Sequence, residues 1–274
     1  MTASTSSSVD LRKLVIGAGL LAGPANVIMQ LARPGVGHGV VESTVDSGKV
    51  TLHPIKRART TLSYLAVATL GTDEERAAFR RGVNRSHAQV RSTESSPVPY
   101  SAFDVDLQLW VAACLYVGFQ DVYRIFGAPV DDVTWERIYR ESAVLGTTLQ
   151  VPPDRWPADL ASFQRYWNDA MDQVSIDDTV RAYLTDLIML RHLPPPVRLA
   201  LGRLSRFVTT GFLSGRFRDE MRLPWDERRQ RRFDRLMSLV AVAVRLSPPV
   251  LREFPFNAYL VDLRWRIRTG RQLV

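Results

Sequence analysis

Apolar positions along the chain recur mostly at steps of three and four, as in helices that bury one face, and hardly any segment alternates with period two. Punctuation residues divide this pattern into elements. Pro54 precedes a run over 57–70 that Gly71 closes, and Thr72-Asp-Glu-Glu75 is a capping box that opens a helix over 72–91. A long apolar helix is predicted over 103–126, stopped by Gly127 and Pro129, and Asp131-Asp132 with Thr134 starts another that runs through 145. Further helices are predicted over 159–171, 177–192, 197–213, 226–246 and 257–268. No internal repeat and no shift in composition marks a boundary. The pattern therefore predicts an all-α fold, one helical bundle over 10–274 behind a disordered Ser/Thr-rich tail at 1–9, with a pocket between its helices.

The stretch 14–32, behind Arg12-Lys13, has the positive flank and apolar run of a signal peptide or a membrane segment. Asn26 and Gln30 are costly in lipid, no small-x-small cleavage site follows, and a twin-arginine pair is absent, so a buried first helix is the reading. Peripheral membrane contact is its alternative. The same stretch imitates a dinucleotide loop. In a Rossmann-type, nucleotide-dependent oxidoreductase, Gly17, Gly19 and Gly23 would cradle a pyrophosphate, and Glu42, after Gly39-Val-Val, would accept from the ribose 2′-hydroxyl. Pro24 and Pro34 interrupt that crossover and the spacing is G-x-G-x-x-x-G, which ranks this reading behind the helical one.

Composition narrows the picture further. With 274 residues, 46% of them apolar and 23% charged, the chain is an ordinary globular one, long enough for a substantial core. The net charge of +8 rests on arginine, since only three of the 36 basic residues are lysine, and the arginines are spread along the chain. This dispersal argues against a nucleic-acid partner. A non-catalytic basic module at Arg228-Arg229-Gln-Arg231-Arg232 is the third reading, weakened because those arginines fall on more than one helical face. The single cysteine, Cys114, lies in an apolar run and excludes an internal disulfide or a cysteine zinc cluster.

The four histidines show no metal-binding spacing, and no G-x-S-x-G elbow is present. His87 stands apart. With Phe79, Val83 and Val90 it forms one apolar stripe, so its imidazole is either a core group bonded to a backbone carbonyl or an axial ligand to iron in a dry pocket. Arg57, Thr61 and Tyr64 share another helical face, where a guanidinium and hydroxyls suit a carboxylate or bound oxygen.

Several short segments then carry a resemblance in order: Gln30-Leu-Ala-Arg-Pro34, Arg57-Ala-Arg-Thr-Thr61-Leu-Ser-Tyr, His87-Ala-Gln-Val-Arg, Tyr100-Ser-Ala-Phe-Asp104, Leu109-Trp-Val, Phe163-x-x-Tyr-Trp167, Leu193-Pro-Pro-Pro196 and Leu223-Pro-Trp225. Together they resemble an actinobacterial branch of the family that includes the rubber oxygenase (latex clearing protein) and the fungal MpaB oxygenase. The resemblance implies a globin-like helical core with a central pocket holding heme b, and O2-dependent cleavage of a carbon–carbon double bond in a small hydrophobic substrate. By position, His87 matches the proximal iron ligand. Arg57 and Thr61 match an Arg-x-x-Lys-Thr segment beside the heme, Arg57 pairing with a propionate or positioning a distal water, with Thr60 in place of the lysine. Glu42 falls where the family has a distal acidic residue, a base or hydrogen-bonding group. Ala112 stands where many relatives carry a histidine. A cytoplasmic location, with membrane association as the alternative, completes the expectation.

Overall fold

Pro24 and Pro34 decide how the amino-terminal part folds. In the computed structural model, which describes residues 11–43 and 53–274, the predicted first helix is divided. A short 3-10 helix, Gly17–Ala22, is followed by α1 (Gly23–Leu31) and α2 (Pro34–Val41). Each proline occupies a first turn, where its missing N–H is no loss and its ring clashes with nothing. The predicted tail at 1–9 lies outside the described residues.

The helices α3 (Pro54–Leu70) and α4 (Asp73–His87) meet at Gly71 and the capping box, in which Thr72 Oγ1 accepts from Glu75 N and Glu75 accepts from Thr72 N. The helix predicted through residue 91 stops at His87. The chain after it turns back, held by Ser92 N donating to Tyr100 O and Ala102 N donating to Val90 O.

Next comes α5 (Val105–Phe126), opened by Asp104, whose side chain accepts from the backbone of Asp106 and Leu107. It is buried on nearly every side, so it runs through the middle of the molecule. On one side Tyr116 meets Tyr139, Trp156 and Phe163 at ring separations of 4.9–6.3 Å. On another Trp110 stacks on Trp167 at 5.2 Å and donates to Gln30 O, while Cys114 is fully buried beside it.

The remaining helices are α6 (Asp132–Glu141), α7 (Val144–Thr147), α8 (Leu160–Met171), α9 (Asp178–Ile188), α10 (Pro195–Phe212), α11 (Gly215–Glu220), α12 (Glu227–Leu246), α13 (Pro249–Arg252) and α14 (Phe256–Arg268). Two depart from expectation. The helix predicted through 145 breaks at Ser142, which turns its hydroxyl onto Ile138 O. The one predicted to 192 ends at Ile188, and Leu190 takes a left-handed φ of 56° that carries the chain off the helix toward His192.

No strand is present among the described residues, apart from one isolated bridge, Arg91 to Ser101. The Rossmann reading fails on this point, because Gly17 and Gly19 lie in a 3-10 helix and Glu42 caps α2 where a strand end was required. A Cβ on Gly17 would fall on the Phe254 carbonyl, so this glycine serves close packing. No described helix is long and apolar enough to cross a membrane.

Candidate active site

Faces of α1, α2, α3, α5 and α9, with the end of α4 and with Phe256 of α14, enclose a cavity of about 1000 Å³. That volume is at the upper end for small-molecule and cofactor sites. The central helix supplies one wall through Leu107, Gln108, Val111, Leu115, Phe119 and Val122, which recur at helical spacing. Aliphatic side chains of the other helices dominate the rest. Its polar members include Arg57, Thr61, His87, Gln108, Tyr183 and His192, and no aspartate or glutamate lines it among the described residues.

Arg57 and Thr61 reach the cavity because they lie one turn apart on α3. The Arg57 guanidinium forms no hydrogen bond or ion pair with any described residue. It lines the cavity, and desolvation pulls its pKa below the ordinary value, opposed by the Tyr183 phenol. Tyr64 shares the α3 face in sequence, but its hydroxyl donates to Leu145 O and leaves the cavity wall.

His87 occupies the last position of α4, and Phe103 meets its ring edge-on at 6.2 Å. Its Nδ1 is buried and has no hydrogen-bond partner among the described residues. Burial lowers its pKa, the Gln150 side-chain amide raises it in part, and the nearby Arg57 cation lowers it further. The ring is therefore neutral near neutral pH. Behind it, the side chains of Asn84, Gln108 and Gln150 bond in series, and the Gln150 backbone N–H donates to Gln108 Oε1 at 2.9 Å.

Glu42 takes a different place. It is not among the lining residues, and both carboxylate oxygens are engaged: Ser96 Oγ donates at 2.6 Å and Tyr100 OH at 2.9 Å to one, and His38 Nδ1 lies 3.0 Å from the other. These bonds, led by that from Ser96, hold its pKa below the usual carboxylate value. His38, buried, also faces Asp177 Oδ2 at 2.6 Å. Glu42 thus braces Tyr100, whose ring does line the cavity.

Sequence reasoning missed Gln108, Tyr183 and His192. Gln108 had a signal, a polar residue on the inward stripe of an otherwise apolar helix. His192 had none, since only the left-handed exit at Leu190 and the packing of α9 turn it inward; burial lowers its pKa as well. Among the described residues no cluster of three or more histidine, cysteine, aspartate or glutamate side chains exists to hold a bare metal ion.

One apolar cavity in this helical protein thus carries on its wall a histidine whose buried Nδ1 has no hydrogen-bond partner and a guanidinium with no ion pair among the described residues. The chain belongs to the family described as ER-bound oxygenase mpaB/B′/rubber oxygenase, whose catalytic-domain model matches residues 14–242. It is also 50% identical over 255 residues to uncharacterized proteins of Mycobacterium bovis and Mycobacterium tuberculosis, covering 93% of this chain and 100% of each relative. No solved structure matches it. The segment beyond residue 242 lies outside the family match, yet supplies Phe256 and Val274 to the cavity.

Proposed function

We propose that the chain is a heme b-dependent oxygenase that uses O2 on a hydrophobic, unsaturated substrate, with His87 as the axial ligand to iron. The observation that carries this reading is the His87 imidazole on the wall of an apolar cavity, with its buried Nδ1 lacking a hydrogen-bond partner among the described residues. An ordinary core histidine bonds at least one ring nitrogen, because a buried unpaired one costs ~1–3 kcal/mol.

The residues present fit the group. A neutral imidazole is what axial ligation needs, and a ligating histidine ordinarily donates its other nitrogen to a second polar group, for which Gln150 is at hand. Among the described residues Arg57 has no anionic partner, and heme carries two carboxylates. The cavity is large enough for such a macrocycle beside a substrate, and the family match supports an oxygenase. We also infer the globin-like arrangement from that match, with helices packed around a central cofactor.

When bound, the heme supplies the iron chemistry that activates dioxygen. The chain contributes the surroundings. The aliphatic walls would hold a hydrophobic substrate beside the group. Arg57 offsets a carboxylate at the edge of the site, and the Thr61 hydroxyl one turn on donates into the cavity. For the role of proton acceptor we place His192 ahead of Glu42, because His192 opens on the cavity with its pKa lowered, whereas the Glu42 carboxylate is engaged in the wall. Glu42 acts as a positioning residue through Tyr100.

The test is the visible spectrum of the purified protein with and without hemin and dithionite, beside His87→Ala. A Soret band that shifts on reduction in the wild type and is lost or displaced in the variant is expected. Failure of the wild type to take up hemin refutes the reading.

A further inference from the structure

One face of α12 changes character along its length. Arg228, Arg232 and Arg235 follow one another at steps of four and three, and the same steps continue to Leu239, Val242 and Leu246. All six are exposed, the three aliphatics at 71%, 55% and 80%. The arginines on other faces are held within the chain, Arg231 by Glu227 at 3.2 Å and Arg229 by Asp226 and the Pro224 carbonyl. The side chains of the three on this face have no ion pair or hydrogen bond among the described residues. A helix face of unpaired arginines running into exposed aliphatics is unusual on a surface meant only for water.

The apolar end does not stop at Leu246. Ser247 and Pro248 lead directly into α13, where Val250 and Leu251 are 70% and 64% exposed, and Phe254 beyond it is 58% exposed. Arg252 fixes this corner by donating to the Arg245 and Ser247 carbonyls. The corner packs against the 3-10 helix Gly17–Ala22, in which Leu20 is at once exposed and part of the cavity wall. The apolar patch therefore borders an edge of the cavity.

We propose that this α12–α13 face docks on an anionic lipid bilayer, with the Leu246–Phe254 corner immersed at the headgroup boundary and Arg228, Arg232 and Arg235 lying on the phosphates. Charge complementarity selects the occupant. A protein partner or a second copy of this chain would have to bring its own carboxylates to three arginines, whereas an anionic leaflet presents both the apolar layer and the negative layer in the order found along α12. Docking there sets the Leu20 edge of the cavity near the lipid, the phase in which a hydrophobic substrate dissolves. The proposal stands on the surface alone and does not depend on heme or on the chemistry in the cavity.

The experiment is sedimentation of the full chain with phosphatidylcholine vesicles, with and without phosphatidylserine. Binding to the phosphatidylserine vesicles is expected, weaker at high salt and weaker still to pure phosphatidylcholine. The variant R228Q/R232Q/R235Q is expected to bind about a hundredfold less tightly, since each surface arginine is worth roughly fivefold. The variant L246S/L251S is expected to lose binding even where the arginines remain. These positions are exposed, and unchanged circular dichroism and thermal melting show that the variants fold. Wild type left in the supernatant at low salt, or equal sedimentation of wild type and both variants, overturns the proposal. So does a dimer in light scattering that L246S/L251S dissolves while vesicle binding is absent.

Discussion

If His87 is kept for a ligand, its loss should stabilise the protein that lacks one. The replacement His87→Leu removes a buried Nδ1 that has no partner among the described residues, a group whose desolvation costs ~1–3 kcal/mol, and puts an apolar side chain of similar size beside Phe103 in an apolar cavity wall. Imperfect repacking takes back up to ~1.5 kcal/mol. The net expectation is a gain of about 1 kcal/mol in the ligand-free state, or roughly 2–4 °C in melting temperature for a chain of this size. Acid sharpens the contrast. Because the folded ring has its pKa lowered from 6.5, the unfolded chain binds more protons below that pH, and wild-type stability falls as pH drops through about 6. The variant should lose less over the same window, the remaining fall including that from His192, whose pKa is lowered too. Hemin should reverse the order: ligand at a hundredfold excess over its dissociation constant stabilises a binding protein by about 2.7 kcal/mol, and only the wild type should gain it. Urea unfolding at pH 5.5 and 7.5, with and without hemin, measures all three effects. A variant destabilised by more than 1 kcal/mol at both pH values, with hemin helping both proteins equally, would show that the ring is a packing residue and refute the reasoning.

Other consequences follow from single contacts. Replacing Arg57 by Gln should weaken hemin binding about tenfold, with Arg57→Lys intermediate because a lysine keeps the charge without the fork; a spectrophotometric titration that finds all three equal removes the anion-binding role. Thr72→Ala should cost ~1 kcal/mol of stability by opening the capping box, read in urea unfolding and independent of hemin. Gly17→Ala should prevent stable folding, since its Cβ would fall on the Phe254 carbonyl, whereas Gly23→Ala, with nothing within 4 Å, should change thermal stability little. Equal tolerance at the two positions would contradict the packing described for the 17–22 segment. Glu42→Gln should leave the Soret band in place while lowering turnover, as expected of a brace behind Tyr100; loss of hemin binding would place it nearer the group.

Much of the helical framework was legible in the chain because caps and stops act locally. Thr72, Asp104, Asp131 and Asp226 each accept from backbone amides two or three residues on, and Gly71 and Gly127 end helices beside them. His87, Arg57 and Thr61 were also legible, since a stripe at helical spacing announces which face turns inward. The dinucleotide-like glycines misled for the converse reason. A glycine pattern records that backbone approaches something closely, and only the fold shows that Gly17 meets the Phe254 carbonyl rather than a phosphate. Tertiary structure alone brought His192 and Tyr183 to the wall that holds His87, turned Tyr64 away to Leu145, and drew Glu42 into bonds with Ser96 and Tyr100. Those outcomes depend on contacts between residues 50 to 140 positions apart, where no local hydrogen-bond rule or hydrophobic period reaches. The sequence by itself determined where helices begin, end and turn their apolar faces; packing decided which polar groups of distant helices meet on the cavity wall, because that depends on contacts no local rule specifies.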